Sequence, residues 1–167
     1  MKQKLVAFLL ALVICLMPCA AMAAQEDLLQ ERETLCYVED AAGLLTQEEI
    51  DDLQSEAERL YELYGRDVVI VTTNDTDGKS AMEFADDYSD EGLLLLVDMG
   101  NREWWISTEG SCIEAFTDAE IQNIGEAVAG YLTNGDYKGA FDEFLWHVEY
   151  ELENYENAGG GDVIERP

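Results

Sequence analysis

The sequence has few histidines and basic residues, and it lacks the short motifs that mark common catalytic sites. His147 is the only histidine among 167 residues, and it lies far in sequence from any candidate nucleophile, which argues against a Ser-His-Asp triad. The sequence contains no HExxH segment, no CxxC pair and no glycine-rich phosphate loop before a helix. The common zinc sites and nucleotide cradles are therefore excluded.

Positive charge is scarce throughout the chain. Lys and Arg number 9 against 37 Asp and Glu, which gives a formal net charge of -28 at pH 7. A polyanion of this strength repels nucleic acid and anionic lipid, and it favours basic proteins or divalent cations as partners. The alternative is that the acids form only a solvated coat that keeps the protein soluble.

The first 24 residues have the pattern of a secretory signal peptide. Two lysines precede an apolar run over residues 5–17, and the segment Ala21-x-Ala23 then suits cleavage. The alternative is an uncleaved membrane tether through residues 5–24, because this stretch nearly reaches spanning length. The sequence predicts a protein that is secreted or held on the extracytoplasmic face of the membrane.

The rest of the chain divides into three parts. Residues 25–34 predict a polar tether, residues 35–155 one domain, and residues 156–167 a flexible glycine-rich tail. Cys36 and Cys112 are the cysteines outside the signal peptide. In an oxidising compartment they could form a disulfide or remain as two buried thiols, and the sequence leaves both possibilities open.

Residues 93–97 form the longest unbroken apolar run after the signal peptide, and they are too few for a helix. Their length and the flanking turn residues predict a buried central strand. Residues 98–102, centred on Gly100-Asn101, predict a tight reversal. Residues 103–108 are rich in aromatic and β-branched side chains and predict a returning strand. We therefore expect a β-hairpin at the centre of the fold.

Three capping boxes, each a Ser or Thr followed three residues later by Glu, predict helix starts. They are Thr46 with Glu49, Ser80 with Glu83, and Thr117 with Glu120. A last helix is predicted after Asp136, and two further strands at residues 35–38 and 67–73. Strands that alternate with helices predict an α/β fold, a three-layer α/β/α sandwich. Its central sheet should be mostly parallel, with the returning hairpin strand antiparallel.

Several segments occur in a recognisable order along the chain. They are Tyr37-Val38-x-Asp40-x-Ala42-x-Leu44-Leu45-Thr46, residues 67–71, residues 93–97 followed by Asn101-Arg102, Ala115-Phe116-Thr117-Asp118-Ala119, and Gly135-Asp136-Tyr137. In order and spacing these segments resemble the TPM domain family over roughly residues 37–150. The resemblance implies an extracytoplasmic α/β/α domain that is often tethered to a membrane.

The resemblance implies more than one function. Plant members are described as acid phosphatases, bacterial relatives as binding calcium or other divalent metals at an acidic cleft, and other members as assembly or repair factors. Many relatives carry a longer loop where this chain has only residues 88–92, and acidic residues where it has Ser107 and Ile113. These departures argue against family-type catalysis, but they do not affect the expected fold.

Five aspartates follow or flank core elements and are the candidate metal ligands. They are Asp40, Asp86, Asp87, Asp98 and Asp118. Carboxylates and loop carbonyls can supply the six to eight oxygen ligands that Ca²⁺ takes, so the predicted cofactor is calcium or another divalent cation. The alternative is that Asp40 and Asp118 only bond the backbone at turns and helix starts, while Asp86 and Asp87 are solvent-exposed.

Residues 74–78 (NDTDG) look like a calcium loop at first, but the glycine does not fall at the sixth position, so we predict a turn. Trp104 and Trp105 are adjacent on one strand and should face opposite sides of the sheet. One is expected to pack in the core. The other is expected to lie beneath a helix or to form part of a contact surface.

Metal-dependent phosphatase chemistry at the same cleft would use Asp40 and Asp118 around the cation, while Arg102 holds phosphate oxygens. Arg102 could equally pair with a surface acid, and the acidic excess repels phosphate. The favoured prediction is therefore a monomeric, extracytoplasmic, calcium-binding interaction or assembly module with a basic or membrane-bound protein partner. A metal-dependent acid phosphatase and a catalytically inactive family member are the alternatives.

Overall fold

The computed structural model describes residues 37–88 and 92–159. The predicted signal peptide, the predicted tether, Cys36 and residues 160–167 of the predicted tail lie outside the described residues. In chain order the elements are β1 (Val38–Asp40), α1 (Gln47–Tyr64), β2 (Val68–Thr73), α2 (Ala81–Tyr88), β3 (Gly92–Asp98), β4 (Glu103–Glu109), α3 (Cys112–Ala115), α4 (Asp118–Asn134) and α5 (Tyr137–Asn157).

The helices begin and end where the local sequence predicts. At α1 the Thr46 side chain accepts the Glu49 N–H, and the Glu49 carboxylate accepts the Thr46 N–H. That second bond lowers the pKa of Glu49. Gly65 ends the helix in the left-handed region, at φ 66°. The predicted boxes before α2 and α4 also form, and Asp136 caps α5.

The four strands form one mixed sheet in the order β1-β2-β3-β4. The first three strands are parallel and β4 is antiparallel to β3, which confirms the predicted α/β architecture. β1 ends two residues later than the strand predicted at 35–38, since its pairing with β2 continues from Val38 to Asp40; residues 35 and 36 lie outside the described residues. We call the side where β1, β2 and β3 end the carboxyl edge, and the opposite side the amino edge.

Side chains on the two faces of the sheet enter two separate hydrophobic cores. The larger core contains alternate residues of β3, such as Leu95, together with side chains of α1, α4 and α5. The smaller core contains the intervening residues, such as Leu94 and Leu96, covered by small residues of α2 and α1. The sheet is therefore covered on both faces, as predicted, but unequally.

The short helix α3 was not predicted. It follows β4 at the amino edge and buries Cys112 and Ala115 in the larger core. Whether Cys112 forms a disulfide with Cys36 or remains a thiol stays open, because Cys36 lies outside the described residues. Within residues 37–88 and 92–159, none of the helices combines the length and the apolarity needed to span a membrane.

Candidate functional site

A concave site opens at the carboxyl edge, between the β3–β4 turn and the corner where α4 meets α5. It encloses about 300 Å³, and Asp98 and Glu103 border it. We call it the hairpin cleft. Its other lining side chains include Arg102, Trp104, Leu132, Thr133 and Tyr137. The cleft therefore joins an aromatic wall, a hydroxyl group and one guanidinium group.

Asp98 organises the turn that borders this cleft. Its side chain is fully buried, and it accepts hydrogen bonds from the Gly100 N–H at 2.8 Å, the Asn101 N–H at 3.2 Å and the Asn101 side-chain amide at 2.8 Å. A Cβ atom at Gly100 would lie 2.2 Å from the Asn74 carbonyl oxygen. The turn and the β2–α2 loop are thus in close contact, and only glycine permits it.

Arg102 follows that turn with its backbone in the left-handed region, at φ 57°, where non-glycine residues are uncommon. Its side chain is exposed at the mouth of the hairpin cleft. Among the basic residues in the described part of the chain, Arg102 alone forms no ion pair. The paired ones are Arg59, Arg66, Lys79 and Lys138.

Asp40 lies at the carboxyl edge, at the end of β1. It accepts the Leu44 N–H at 3.1 Å and the Leu45 N–H at 2.9 Å, and the Thr72 hydroxyl donates to it. These bonds order the segment that leads into α1. Asp40 and Asp98 flank β2, about 10 Å apart by strand spacing, and each carboxylate bonds its own turn.

The other three predicted ligands lie elsewhere. Asp86 on α2 accepts the Ser107 hydroxyl at 2.8 Å, and Asp87 pairs with Lys79 at 3.0 Å. Asp118 is exposed in the first turn of α4. The end of this helix lines the hairpin cleft, and Asp118 precedes the first lining residue, Ala129, by about 16 Å of helix.

The five predicted aspartates are therefore not gathered at one point. Across residues 37–88 and 92–159, no group of three or more His, Cys, Asp or Glu side chains has an arrangement that could hold a metal ion. Cation binding stays a prediction. Asp40 and Asp98 lie at the carboxyl edge, so cation binding by either of them is restricted to that edge. Asp118 is separated from both.

The two adjacent tryptophans face opposite sides of the sheet, as predicted. Trp104 packs against α4, where a Cβ atom at Gly125 would lie 2.2 Å from its ring. Trp105 lies opposite Leu96 in the register and is 39% exposed. His147 lies on α5, with Nε2 3.4 Å from a Glu143 carboxylate oxygen, remote from the hairpin cleft.

Sequence reasoning missed the contribution of Thr133 and Tyr137 to the cleft. Both follow from topology rather than from a motif. The chain leaves β4 at the amino edge, so the 17-residue helix α4 must return it to the carboxyl edge, where α5 begins. The signal available was the length of α4, because about 25 Å of helix crosses the whole sheet.

Comparison with known proteins agrees with this fold. The profile of the TPM domain family matches residues 38–149. The UPF0603 protein YdjH of Bacillus subtilis (strain 168) is 26% identical over 143 residues, which cover 83% of this chain and 55% of YdjH. The chain thus spans about half the length of that curated relative.

Solved structures of low sequence identity share the fold. The N-terminal domain of a P. gingivalis protein matches with a TM-score of 0.61 and 16% identity, covering 74% of this chain and 85% of that one. The N-terminal domain of cg2496 from Corynebacterium glutamicum gives 0.59 and 16%, covering 71% and 80%. BA42 from Bizionia argentinensis gives 0.58 and 14%, covering 66% and 83%. Since the family profile covers more than half of its length, the chain belongs to the TPM domain family.

Proposed function

We propose that this TPM domain is an extracytoplasmic binding or assembly module that binds a divalent cation, calcium by preference, at its carboxyl edge. The observation that carries the proposal is the close contact between the β2–α2 loop and the β3–β4 turn at Gly100. This contact brings the loop that carries the exposed Asp75 and Asp77 to the edge where β3 ends at Asp98. Within the described part of the chain their carboxylates do not form a ligand group by themselves, so loop carbonyls or water would have to complete the coordination. Carboxylates and loop carbonyls are the ligands that calcium takes.

The hydrogen bonds of Asp40 and Asp98 favour binding over catalysis. An ionised carboxylate has about four lone-pair sites, and three bonds already reach each of these side chains. Each carboxylate therefore has about one lone-pair site left, and its existing hydrogen bonds hold it in a fixed position. Most of the ligand oxygens would then come from exposed groups, which supports weak to moderate affinity.

A thermal melt tests the cation directly. Ca²⁺ that binds only the native state must raise the unfolding midpoint, and EDTA must reverse the rise. We expect Asp75→Asn with Asp77→Asn to remove most of the shift, and Asp118→Asn at the amino edge to preserve it. No shift with Ca²⁺, Mg²⁺ or Zn²⁺, or equal loss in both variants, would contradict the proposal.

Localisation and partner are the remaining parts of the proposal. The signal pattern of the first 24 residues supports export, and the charge of -28 supports a basic or membrane-bound protein partner. Protease added to intact cells should digest the protein if it lies outside the membrane. Protection until the cells are lysed would place it inside and contradict this part.

Phosphatase activity is the second candidate, and one observation favours it. Arg102 is exposed beside the acidic edge without an ion pair, so its guanidinium group is available to hold two phosphate oxygens. A bound cation would supply the polarisation of the phosphoryl group. This candidate requires phosphomonoester hydrolysis that chelation stops and that Arg102→Gln, but not Lys79→Gln, reduces at least about tenfold.

A further inference from the structure

Trp146 and Tyr150 form an exposed aromatic surface on α5. They are 58% and 51% exposed, and their rings stack with centroids 5.9 Å apart and planes 13° apart. We call this pair the aromatic stack. The buried residues of α5, among them Phe144 and Val148, lie on the opposite side of the helix by its 3.6-residue repeat. The stack therefore points away from the core.

The acidic residues around the stack determine which partner it can accept. Asp142 and Glu143 lie one turn before Trp146, and Glu153 lies one turn after Tyr150. Lys138 already pairs with Asp142. Anionic lipid and nucleic acid are repelled by this face, and a second copy of a chain with charge -28 is repelled as well. Charge complementarity leaves a cationic partner.

The geometry of the two rings selects among cations. Stacked rings cover each other's inner faces, so each ring offers its outer face as a flat π surface. A planar guanidinium group stacks on such a face better than a compact ammonium group. The guanidinium N–H groups then extend beyond the rings, where carboxylates such as Glu153 can accept them. We propose that the aromatic stack is a docking surface for an arginine-rich segment of a basic protein.

This surface is separate from the hairpin cleft. Tyr137 lines the cleft at the first turn of α5, whereas Trp146 lies nine residues later, about 13 Å along the helix. The aromatic stack would therefore bind the predicted basic partner whether or not a cation is bound at the carboxyl edge. Loss of cation binding leaves the aromatic stack intact, and loss of the stack leaves cation binding intact. The two proposals can therefore fail independently.

Calorimetric titration of the full chain with hexa-arginine and with hexalysine tests the inference, in EDTA so that no cation contributes. We expect hexa-arginine to bind at least about fivefold more tightly than hexalysine. Trp146→Ala with Tyr150→Ala changes no charge, and it should abolish that preference. Trp105→Ala and Leu63→Ala, which also remove exposed apolar side chains, are the matched controls and should preserve it.

Three outcomes would overturn the inference. The double variant could bind both peptides as the wild type does, which would leave only non-specific attraction to a polyanion. The preference for arginine could be absent in the wild type. Sedimentation could show a dimer that the double variant abolishes, which would make a second copy the occupant. Thermal melts of every variant confirm that it is folded before titration, and exposed side chains such as these contribute little to stability.

Discussion

The two cores lie on opposite faces of one sheet, yet they are closed by different kinds of side chain. In the larger core, α5 contributes Phe141 and Phe144, both fully buried. In the smaller core, α2 buries only the small residues Ala81 and Ala85, while Phe84 of the same helix is partly buried against them and Trp105 stays 39% exposed. Small residues let a short helix lie close to the sheet, but they bury little apolar area. The comparison indicates that most of the stability comes from the larger core.

The largest effect should come from a matched pair of neighbours on β3. Leu95 enters the larger core and Leu96 the smaller one, and both are fully buried. We expect Leu95→Ala to lower the free energy of unfolding by about 4 kcal/mol and Leu96→Ala by about 2.5 kcal/mol, because the short helix α2 can move into the smaller cavity. Urea denaturation of both variants measures the difference. Equal losses would show that the two cores are equally rigid.

A second pair of variants tests how closely α4 packs on the larger core. A Cβ atom at Gly125 would lie 2.2 Å from the Trp104 ring, whereas one at Gly130 would meet nothing within 4 Å. Gly125→Ala should destabilise the protein by about 1–2 kcal/mol, since overpacking outweighs the gain in helix propensity. Gly130→Ala should stabilise it by about 0.5–1 kcal/mol. Thermal melts measure the stability of both variants. If both substitutions stabilise the protein, the packing at Trp104 is not tight.

A third prediction concerns the rim of the larger core, where Arg59 of α1 bonds Glu149 of α5 at 2.8 and 2.6 Å. Arg59 also bonds Glu56, and this hydrogen bond holds the pKa of Glu56 below its ordinary value. A carboxyl group with a lowered folded-state pKa stabilises the protein above its unfolded-state pKa, near 4.5, and that contribution is lost as the pH falls through the folded-state value.

Arg59→Met should therefore lower the free energy of unfolding by about 1 kcal/mol at pH 7, a modest figure because the pair is partly exposed. The difference from the wild type should shrink as the pH falls below about 4. Urea denaturation at pH 7, 5 and 3.5 measures it. A difference that stays constant with pH would mean that the arginine acts only through the packing of its methylene groups.

The smallest effect is expected at the open border of the smaller core. Trp105 is 39% exposed and Met82 is 46% exposed, so neither is held by dense packing. Trp105→Ser should change the free energy of unfolding by less than about 1 kcal/mol. The same denaturation experiment measures it, and a loss as large as that of Leu96→Ala would mean that the smaller core extends to its border.

The helix starts and the β3–β4 hairpin could be predicted because their signals are local, although β4 lies at the edge of the sheet rather than at its centre. A capping box such as Thr46 with Glu49 marks a helix start within four residues of sequence. The apolar run at 93–97 indicates a buried strand whatever the rest of the fold is. The short helix α3 has too few residues to show a period. The position of Asp118 depends on β4 returning the chain to the amino edge, which residue spacing alone does not reveal.

The role of Asp40 shows the same limit at the candidate site. Its backbone hydrogen bonds were among the alternatives that the sequence left open, and two of them form, beside a third hydrogen bond from the Thr72 hydroxyl. Sequence could place Asp40 and Asp98 at strand ends, but not show that each bonds its own turn. Side-chain hydrogen bonding depends on distances that only the folded chain defines.

The strands of the sheet lie in the same order as in the chain, so synthesis on the ribosome can build the sheet progressively. Each new strand meets a neighbour that has just emerged, and none must be inserted between two others. The helix α5 is different, because its contact from Glu149 to Arg59 joins residues 90 positions apart. We therefore expect nascent chains that end before Tyr137 to expose the larger core and to bind chaperones. Pull-down of stalled chains, with and without α5, would measure this.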